Sequence, residues 1–357
     1  MILGIVKEVG ENRVSITPKI AQKIKETGAE IHIESGAGLD ASFADELYAP
    51  SSKIVTREEL LTGSDVVVSI NPLAAEDRSK LKAETLLISE FKPFFDKEIS
   101  EQLKSENLRA ISMDMVPRTT IAQTMDVLSS MASIAGYKAV LMAANHLPRY
   151  FPMMITAAGS IKPAKLLVLG AGVAGLQAIA TARRLGAMVE AFDTRSAAKE
   201  EVQSLGAKFV EVEGATEDTG AGGYAVAQSE EFIKRQQAEV QKRAVSSDVI
   251  ITTAQVRGRK APLLIPKETV EKMKPGSVIV DLAASTGGNC ELTKDNEIIN
   301  KHGVTIIGDS SLAANMAEDA SSLYANNLFN FLKLIIKEGE LHLDFEDEIV
   351  KSSFITH

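Results

Sequence analysis

The chain has 357 residues, 45% of them hydrophobic, and a formal net charge of −9. That length is enough for two domains with sizeable cores, and the negative balance sets aside nucleic acid or an anionic membrane surface as the main partner. Cys290 is the only cysteine and the five histidines are scattered, so no internal disulfide and no metal cluster is expected.

No apolar run approaches the ~20 residues of a membrane span. The opening MILGIVKEVGENR reads as a short strand followed by charge, not a signal peptide. The expectation is a soluble, intracellular chain. Met1 to Val6 reads as a strand, Lys7 to Pro18 as a polar loop, and Lys19 to Thr27 as a helix opened by Pro18 and closed by Gly28. Strands follow at Glu30 to Glu34, Asp65 to Ile70, Leu86 to Glu90 and Arg109 to Asp114. Helical segments begin at Asp45, Arg57 and Lys97. This alternation predicts a parallel sheet.

Thr119 to Leu147 carries a long helical pattern rich in Met, Ala and Leu, ended by Pro148 and Pro152. Its length suits a bridge between domains. Lys165 to about Asp309 then alternates strand and helix again, with strands at Leu166 to Leu169, Met188 to Phe192, Lys208 to Val212, Asp248 to Thr253, Val278 to Asp281 and Val304 to Ile307. Helices are expected at Leu176 to Leu185, Glu231 to Val245 and Lys267 to Met273. Ala313 to Glu338 is a second long helix that suits a bridge. The expected domains are 1–130, with 325–357 returning to it, and 131–324, which includes the bridge helices. Two domains joined by two long helices leave a cleft at the carboxyl ends of the strands.

The densest signal is KLLVLGAGVAGLQAIATARRLGAMVEAFDTR, residues 165–195. Gly170, Gly172 and Gly175 stand in G-x-G-x-x-G spacing between a buried strand and a helix, and Asp193 closes the next strand. Gly170 permits the turn, Gly172 lets backbone approach a pyrophosphate, and Gly175 lets helix pack on sheet. The helix N-terminus, with Val173 and Ala174, offers free N–H groups to phosphate. Asp193 favours the ribose hydroxyls of NAD(H) and repels the 2′-phosphate of NADP(H), while Arg195 nearby can accommodate that phosphate. The competing reading is a glycine-rich turn that holds no ligand.

Other stretches offer chemistry less specifically. Gln123, Asp126 and Ser129 are three residues apart, so they share a drifting helix face, with Arg118 just before them. Facing a cleft, Gln123 and Ser129 can bond a carboxamide or ribose while Arg118 and Asp126 hold each other. Capping and solvent exposure explain the same spacing. GAGGYA, residues 220–225, with Tyr224 in its middle, suits a mobile lid or a solvated linker. DLAASTGGN, residues 281–289, is either a close-approach site or a tight turn. Lys7, Glu8 and Arg13 read as solvated loop charges. His32, His146, His302 and His342 show no orienting partner, and Cys290 reads as a small buried hydrophobe.

These residues together carry a resemblance. KEVGENRVSITP, RTTIAQTMDVLSSMASIAGYKAV, the glycine motif through FDTR, GGYA, TTAQVRGRKAPLLI and VIVDLAASTGGNCELT resemble the NAD(H)-binding domain of proton-translocating NAD(P) transhydrogenase, in its alpha subunit. The fold of that family is similar to that of alanine dehydrogenase. The resemblance covers nearly the whole chain and implies an α/β fold of two Rossmann-like, doubly wound parallel-sheet domains.

It further implies that NAD(H) is held here and NADP(H) on a partner domain, with hydride passing directly between them, coupled to proton movement through a membrane subunit. By resemblance Arg118, Gln123, Asp126 and Ser129 surround the nicotinamide, and Gln123 helps bring the two rings together. The dinucleotide would be held by Gly170, Gly172, Val173, Ala174, Gly175, Asp193, Thr194, Arg195, Ala254 and Gln255, with Tyr224 in a mobile loop. The family's domain is dimeric, so a homodimer is expected, peripheral to the cytoplasmic face of a bacterial membrane.

Direct transfer needs aligned rings more than an acid or base. An amino-acid dehydrogenase instead needs a Lys and a His for its substrate, and VVVSINP and LISEFKP offer Ile70 and Lys92 at the corresponding places. That departure counts against amino-acid oxidation. A non-enzymatic NAD(H)-sensing module is the remaining alternative. The membrane and NADP(H)-binding domains are not in this chain, so they sit on separate subunits or the chain is a piece of a longer one.

Overall fold

In a computed structural model, residues 1–212 and 229–357 are described. The chain divides into two compact units, Met1–Met131 with Ala313–His357, and Ala132–Leu312.

The first unit opens with β1 (Ile2–Ile5), α1 (Pro18–Lys25), β2 (Glu30–Glu34), α2 (Asp45–Tyr48), β3 (Lys53–Val55) and α3 (Arg57–Gly63). It continues with β4 (Val66–Val68), α4 (Ala75–Arg78), β5 (Leu86–Ser89), α5 (Ile99–Ser105) and β6 (Arg109–Ser112). All six strands are parallel, in the order β3-β2-β1-β4-β5-β6. Strands β4 and β5 are buried along their length, as expected where helices cover both faces of a parallel sheet. Thr56 starts α3 with a full capping box to Glu59, which satisfies two otherwise orphan N–H groups.

A short 3₁₀ turn, Ile121–Met125, leads into α6 (Val127–His146). The long helix therefore begins eight residues later than the pattern from Thr119 predicts. Asp126 stops it there: its backbone is extended, and its carboxylate accepts from Ser129 N at 2.9 Å and Ser129 Oγ at 2.6 Å. The boundary between the units falls inside α6. At 20 residues α6 is, by length and composition alone, apolar enough to cross a membrane. This corrects the expectation that no segment came close, since serines and Lys138 interrupt its apolar run in sequence. Ala139, Val140 and Ala143 on this helix are buried in the core of the second unit.

The second unit adds a hairpin, β7 (Met154–Thr156) and β8 (Gly159–Ile161), then β9 (Lys165–Leu169), α7 (Val173–Arg184), β10 (Met188–Phe192), α8 (Ala198–Ser204) and β11 (Lys208–Phe209). After the undescribed stretch come α9 (Glu230–Ser246), β12 (Val249–Thr252), α10 (Lys267–Lys272), β13 (Val278–Asp281), β14 (Ile298–Lys301) and β15 (Val304–Ile307). The sheet order is β11-β10-β9-β12-β13-β15-β14. All neighbours are parallel except β14, which pairs antiparallel with β15. The order reverses between β9 and β12, the arrangement in which open α/β sheets bind ligands beyond their strand ends. The chain is thus an α/β protein with two Rossmann-like parallel sheets, as the sequence implied.

The chain then returns to the first unit with α11 (Ala317–Ile335), β16 (Ile336–Lys337), β17 (Glu340–Leu341) and α12 (Glu348–Ser353). Tyr324, Leu328, Phe331, Leu332 and Ile335 of α11 are buried in the first core with Leu3, Ile5, Ile31 and Ile33. The second long helix, expected to bridge, therefore lies from end to end in the first unit. The hairpin β7–β8 and the strands β3 and β14 carry too little hydrophobic alternation to be read from sequence.

Candidate functional site

The second sheet builds its site at the ends of β9, β10, β12 and β13. Gly170 follows β9 with φ of +101°, and a Cβ there would lie 2.5 Å from Thr253 Oγ1. A Cβ on Gly175 would stand 1.9 Å from the Gly170 carbonyl oxygen, so any side chain there pushes α7 off the turn. Gly172, by contrast, has nothing within 4 Å of its Cβ position. It sits at the N-terminus of α7, which has no side-chain cap and no acidic residue in its first turn. Val173 beside it is exposed, and Ala174 is partly so. An uncapped, open helix start with glycine over it fits a phosphate: the orphan N–H groups point outward and no side chain blocks approach.

Asp193 ends β10 and is deeply set. Its Oδ2 accepts from Ala171 N at 2.7 Å and from Arg195 Nη2 at 3.0 Å. Its Oδ1 accepts from Arg195 N at 2.8 Å and Arg195 Nε at 3.0 Å. Burial pushes the carboxyl up, but the bonds from Arg195 and Ala171 outweigh it and hold it below the usual carboxylate range. Thr194 between them is exposed.

Beyond β12, Thr253 Oγ1 donates to the Gly170 carbonyl at 3.0 Å, tying the loop after β12 to the glycine turn. Ala254 N donates to Asn289 Oδ1 at 3.0 Å, and Asn289 Nδ2 donates to the carbonyls of Ala254 and Pro262, each at 2.8 Å. Gln255 is exposed, and its Nε2 donates to the Leu282 carbonyl at 2.7 Å. The stretch from Asp281 to Asn289 is a tight turn clamped to this loop, with Gly287 and Gly288 at φ of +100° and +77°. Asp281 organises it. Fully buried, its carboxylate accepts from Thr252 Oγ1, Ala283 N, Asn289 N, Cys290 N and Thr293 Oγ1 at 2.7–3.0 Å. Cys290 packs in a hydrophobic cluster, and burial raises its thiol to about 11, so it is no nucleophile at neutral pH.

In the first unit, Arg118 and Gln123 are exposed, while Asp126 and Ser129 form the start of α6 described above. Among the described residues no hydrogen bond joins Arg118 to Asp126, so the mutual support expected of them is not made. Tyr224 lies outside the described residues.

The loop after β1 differs from its expected solvation. Glu8 is buried and accepts from Ile70 N at 2.5 Å and Asn71 N at 3.2 Å. Burial raises its carboxyl to about 7, against the two N–H bonds. Glu11 takes Arg13 in a bidentate pair, Nε at 3.0 Å and Nη2 at 2.6 Å. Glu90, beyond β5, is likewise pushed up by burial. The Tyr324 hydroxyl is buried with no hydrogen-bond partner among the described residues, and burial, then Glu90 and Glu8, raise it far above its ordinary range. These charges are close in space because β1, β5 and α11 converge, which no spacing in the sequence reports. Ile70 is buried and Lys92 has φ of +52°. Lys7 and Glu8 also line a cavity of ≈480 Å³ with Glu34 and Arg57. His32 is paired with Glu30 at 2.8 Å, a local orienting partner two residues away that the strand pattern conceals.

Family models for the alanine dehydrogenase/PNT N-terminal domain and C-terminal domain match residues 4–135 and 139–357. The chain is 43% identical to the first of the separate pieces that make up NAD(P) transhydrogenase subunit alpha in Rhodospirillum rubrum, an alignment covering 100% of this chain and 96% of the relative. Among solved structures it superimposes on a transhydrogenase from Sinorhizobium meliloti with a TM-score of 0.92 and 40% identity, covering 100% and 99% of the two chains. It matches an L-alanine dehydrogenase with a TM-score of 0.81 and 25% identity, covering 99% and 94%.

Proposed function

The chain belongs to the alanine dehydrogenase/PNT family, among the NAD(P) transhydrogenase alpha subunits, and on that premise we propose that it is the NAD(H)-holding component of a proton-coupled transhydrogenase. The observation that carries this reading is the open, uncapped start of α7 under Gly172, flanked by the carboxylate of Asp193. Gly170, Gly172, Val173, Ala174 and Gly175 would receive the pyrophosphate. Asp193, Thr194 and Arg195 would meet the adenosine ribose, and Ala254 and Gln255 would border the rest of the dinucleotide. When bound, NADH supplies the hydride that passes to NADP⁺ held by a partner domain.

The chain's own residues need only bind and align, so no general acid or base is required of them. Arg118, Gln123, Asp126 and Ser129 are proposed to flank the nicotinamide, with Gln123, exposed and free of capping duty, steering the approach of the second ring. The Rhodospirillum rubrum relative is named as one piece of a divided alpha subunit, which supports an assembly of several subunits. We place the membrane proton channel and the NADP(H)-binding domain on partners, and this chain as a homodimer on the cytoplasmic face of the membrane.

NADH fluorescence with the purified chain should report binding, and absorbance at the NADH band with NAD and L-alanine should stay flat. A steady rise would instead mark an amino-acid dehydrogenase, the reading favoured by the alanine dehydrogenase superposition and opposed by Ile70 and Lys92. Gln123→Asn should slow transfer to an NADP(H)-bearing partner more than it weakens NADH binding. Equal loss of both would remove its alignment role.

A further inference from the structure

A carboxylate has about four lone-pair sites, and all four on Asp193 are taken. Ala171 N and Arg195 N occupy two, and the Nε and Nη2 of Arg195 occupy the others. The two backbone N–H groups are fixed by the turns after β9 and β10. The guanidinium is not: the Arg195 side chain is 40% exposed, against 8% for Asp193, and its only other bond is a 3.3 Å one to the Ala171 carbonyl. A ribose diol that donates to Asp193 therefore has to displace the Arg195 fork first.

We propose that Arg195 is a specificity-determining residue that competes with the ribose for Asp193, lowering affinity for NAD(H) while keeping a cation where a 2′-phosphate would arrive. The proposal rests on the NAD(H) reading of this site and deepens it. A dinucleotide with free ribose hydroxyls gains the Asp193 bonds only by breaking two charge-assisted ones. A 2′-phosphorylated dinucleotide cannot donate to Asp193 and is repelled by it, but the guanidinium already lies beside that carboxylate and pairs with phosphate in the same forked geometry. Removing Arg195 thus moves the two affinities in opposite directions, which loss of a general nucleotide contact would not do.

The test is a pair of fluorescence titrations, NADH and NADPH, on the wild-type chain, Arg195→Ala and Arg195→Lys, with thermal unfolding to verify that each is folded. Arg195→Ala should bind NADH about tenfold tighter, the worth of one charge-assisted bond no longer broken, and NADPH about tenfold more weakly. Arg195→Lys, with the charge but not the fork, should fall between. Parallel weakening of both dinucleotides, or no change in either, would overturn the competition while leaving the nucleotide site standing. A wild-type chain that binds neither would overturn the NAD(H) reading, and this inference with it.

Discussion

Glu8 and Asp193 occupy equivalent places in the two sheets, each just beyond a strand of a parallel sheet and each taking backbone N–H groups from a neighbouring turn. Their protonation differs because of one cation. Asp193 has two backbone donors and the Arg195 fork, and its carboxyl is held low. Glu8 has two backbone donors, while the guanidinium nearby, Arg13, is committed to Glu11, and burial lifts it to about 7. Burial penalises both carboxylates. What decides the sign is whether a guanidinium is bonded to the oxygens or merely close to them. The comparison separates the two units in kind. The second sheet's strand ends are a satisfied hydrogen-bond frame around an open helix start. The first sheet's strand ends hold carboxyls and a phenol that lack full partnership.

The largest test of that contrast is Gly175→Ala. With backbone 1.9 Å from the new methyl position, the turn cannot relax by moving a side chain. A loss of ~4 kcal/mol or more in chemical denaturation is expected, together with loss of NADH binding. Asp281→Ala comes next, since five donors lose their acceptor in a fully buried place. A loss of ~3–4 kcal/mol is expected, and a loss below ~1 kcal/mol would mean that the loop frame is not rigid.

Glu8→Gln tests the other side. A carboxyl raised from 4.5 to about 7 in the folded chain binds its proton more tightly folded than unfolded. Its contribution is fully present below pH 4.5 and is lost as pH rises through 7. Wild-type stability should therefore fall across that window relative to Glu8→Gln, by up to ~3 kcal/mol. Parallel pH profiles for the two would show that Glu8 is ionised in the folded state.

Smallest is Tyr324→Phe. Its hydroxyl is buried without a hydrogen-bond partner among the described residues, so removing it should be neutral or stabilising by up to ~1 kcal/mol. A clear destabilisation in thermal unfolding would reveal that the hydroxyl is bonded, to a water or to one of the carboxyls.

Local chemistry accounts for what was legible in the chain. Strand and helix alternation, the glycine spacing and the acid after the second strand are short-range features, and β2, β10 and β13 lie at their expected bounds. The start of α6 was not legible, because an Asp inside a helical pattern reads equally as a helix face or as a cap, and only the bonds from Ser129 decide. Arg13 and Glu8 read as solvated for a related reason: loop charges carry no signal of what packs over them.

By itself, then, the sequence determined the two parallel-sheet units, the glycine turn and the family, since each is written in periodicity or in residues a few positions apart. Only the tertiary structure decided which charges are buried, that Asp281 and Asn289 bind two loops together, and that Asp193 is already fully engaged. Those facts depend on donors brought from distant stretches of the chain, or from Arg195 folding back on its own strand end, and such encounters are made by packing rather than by order along the chain.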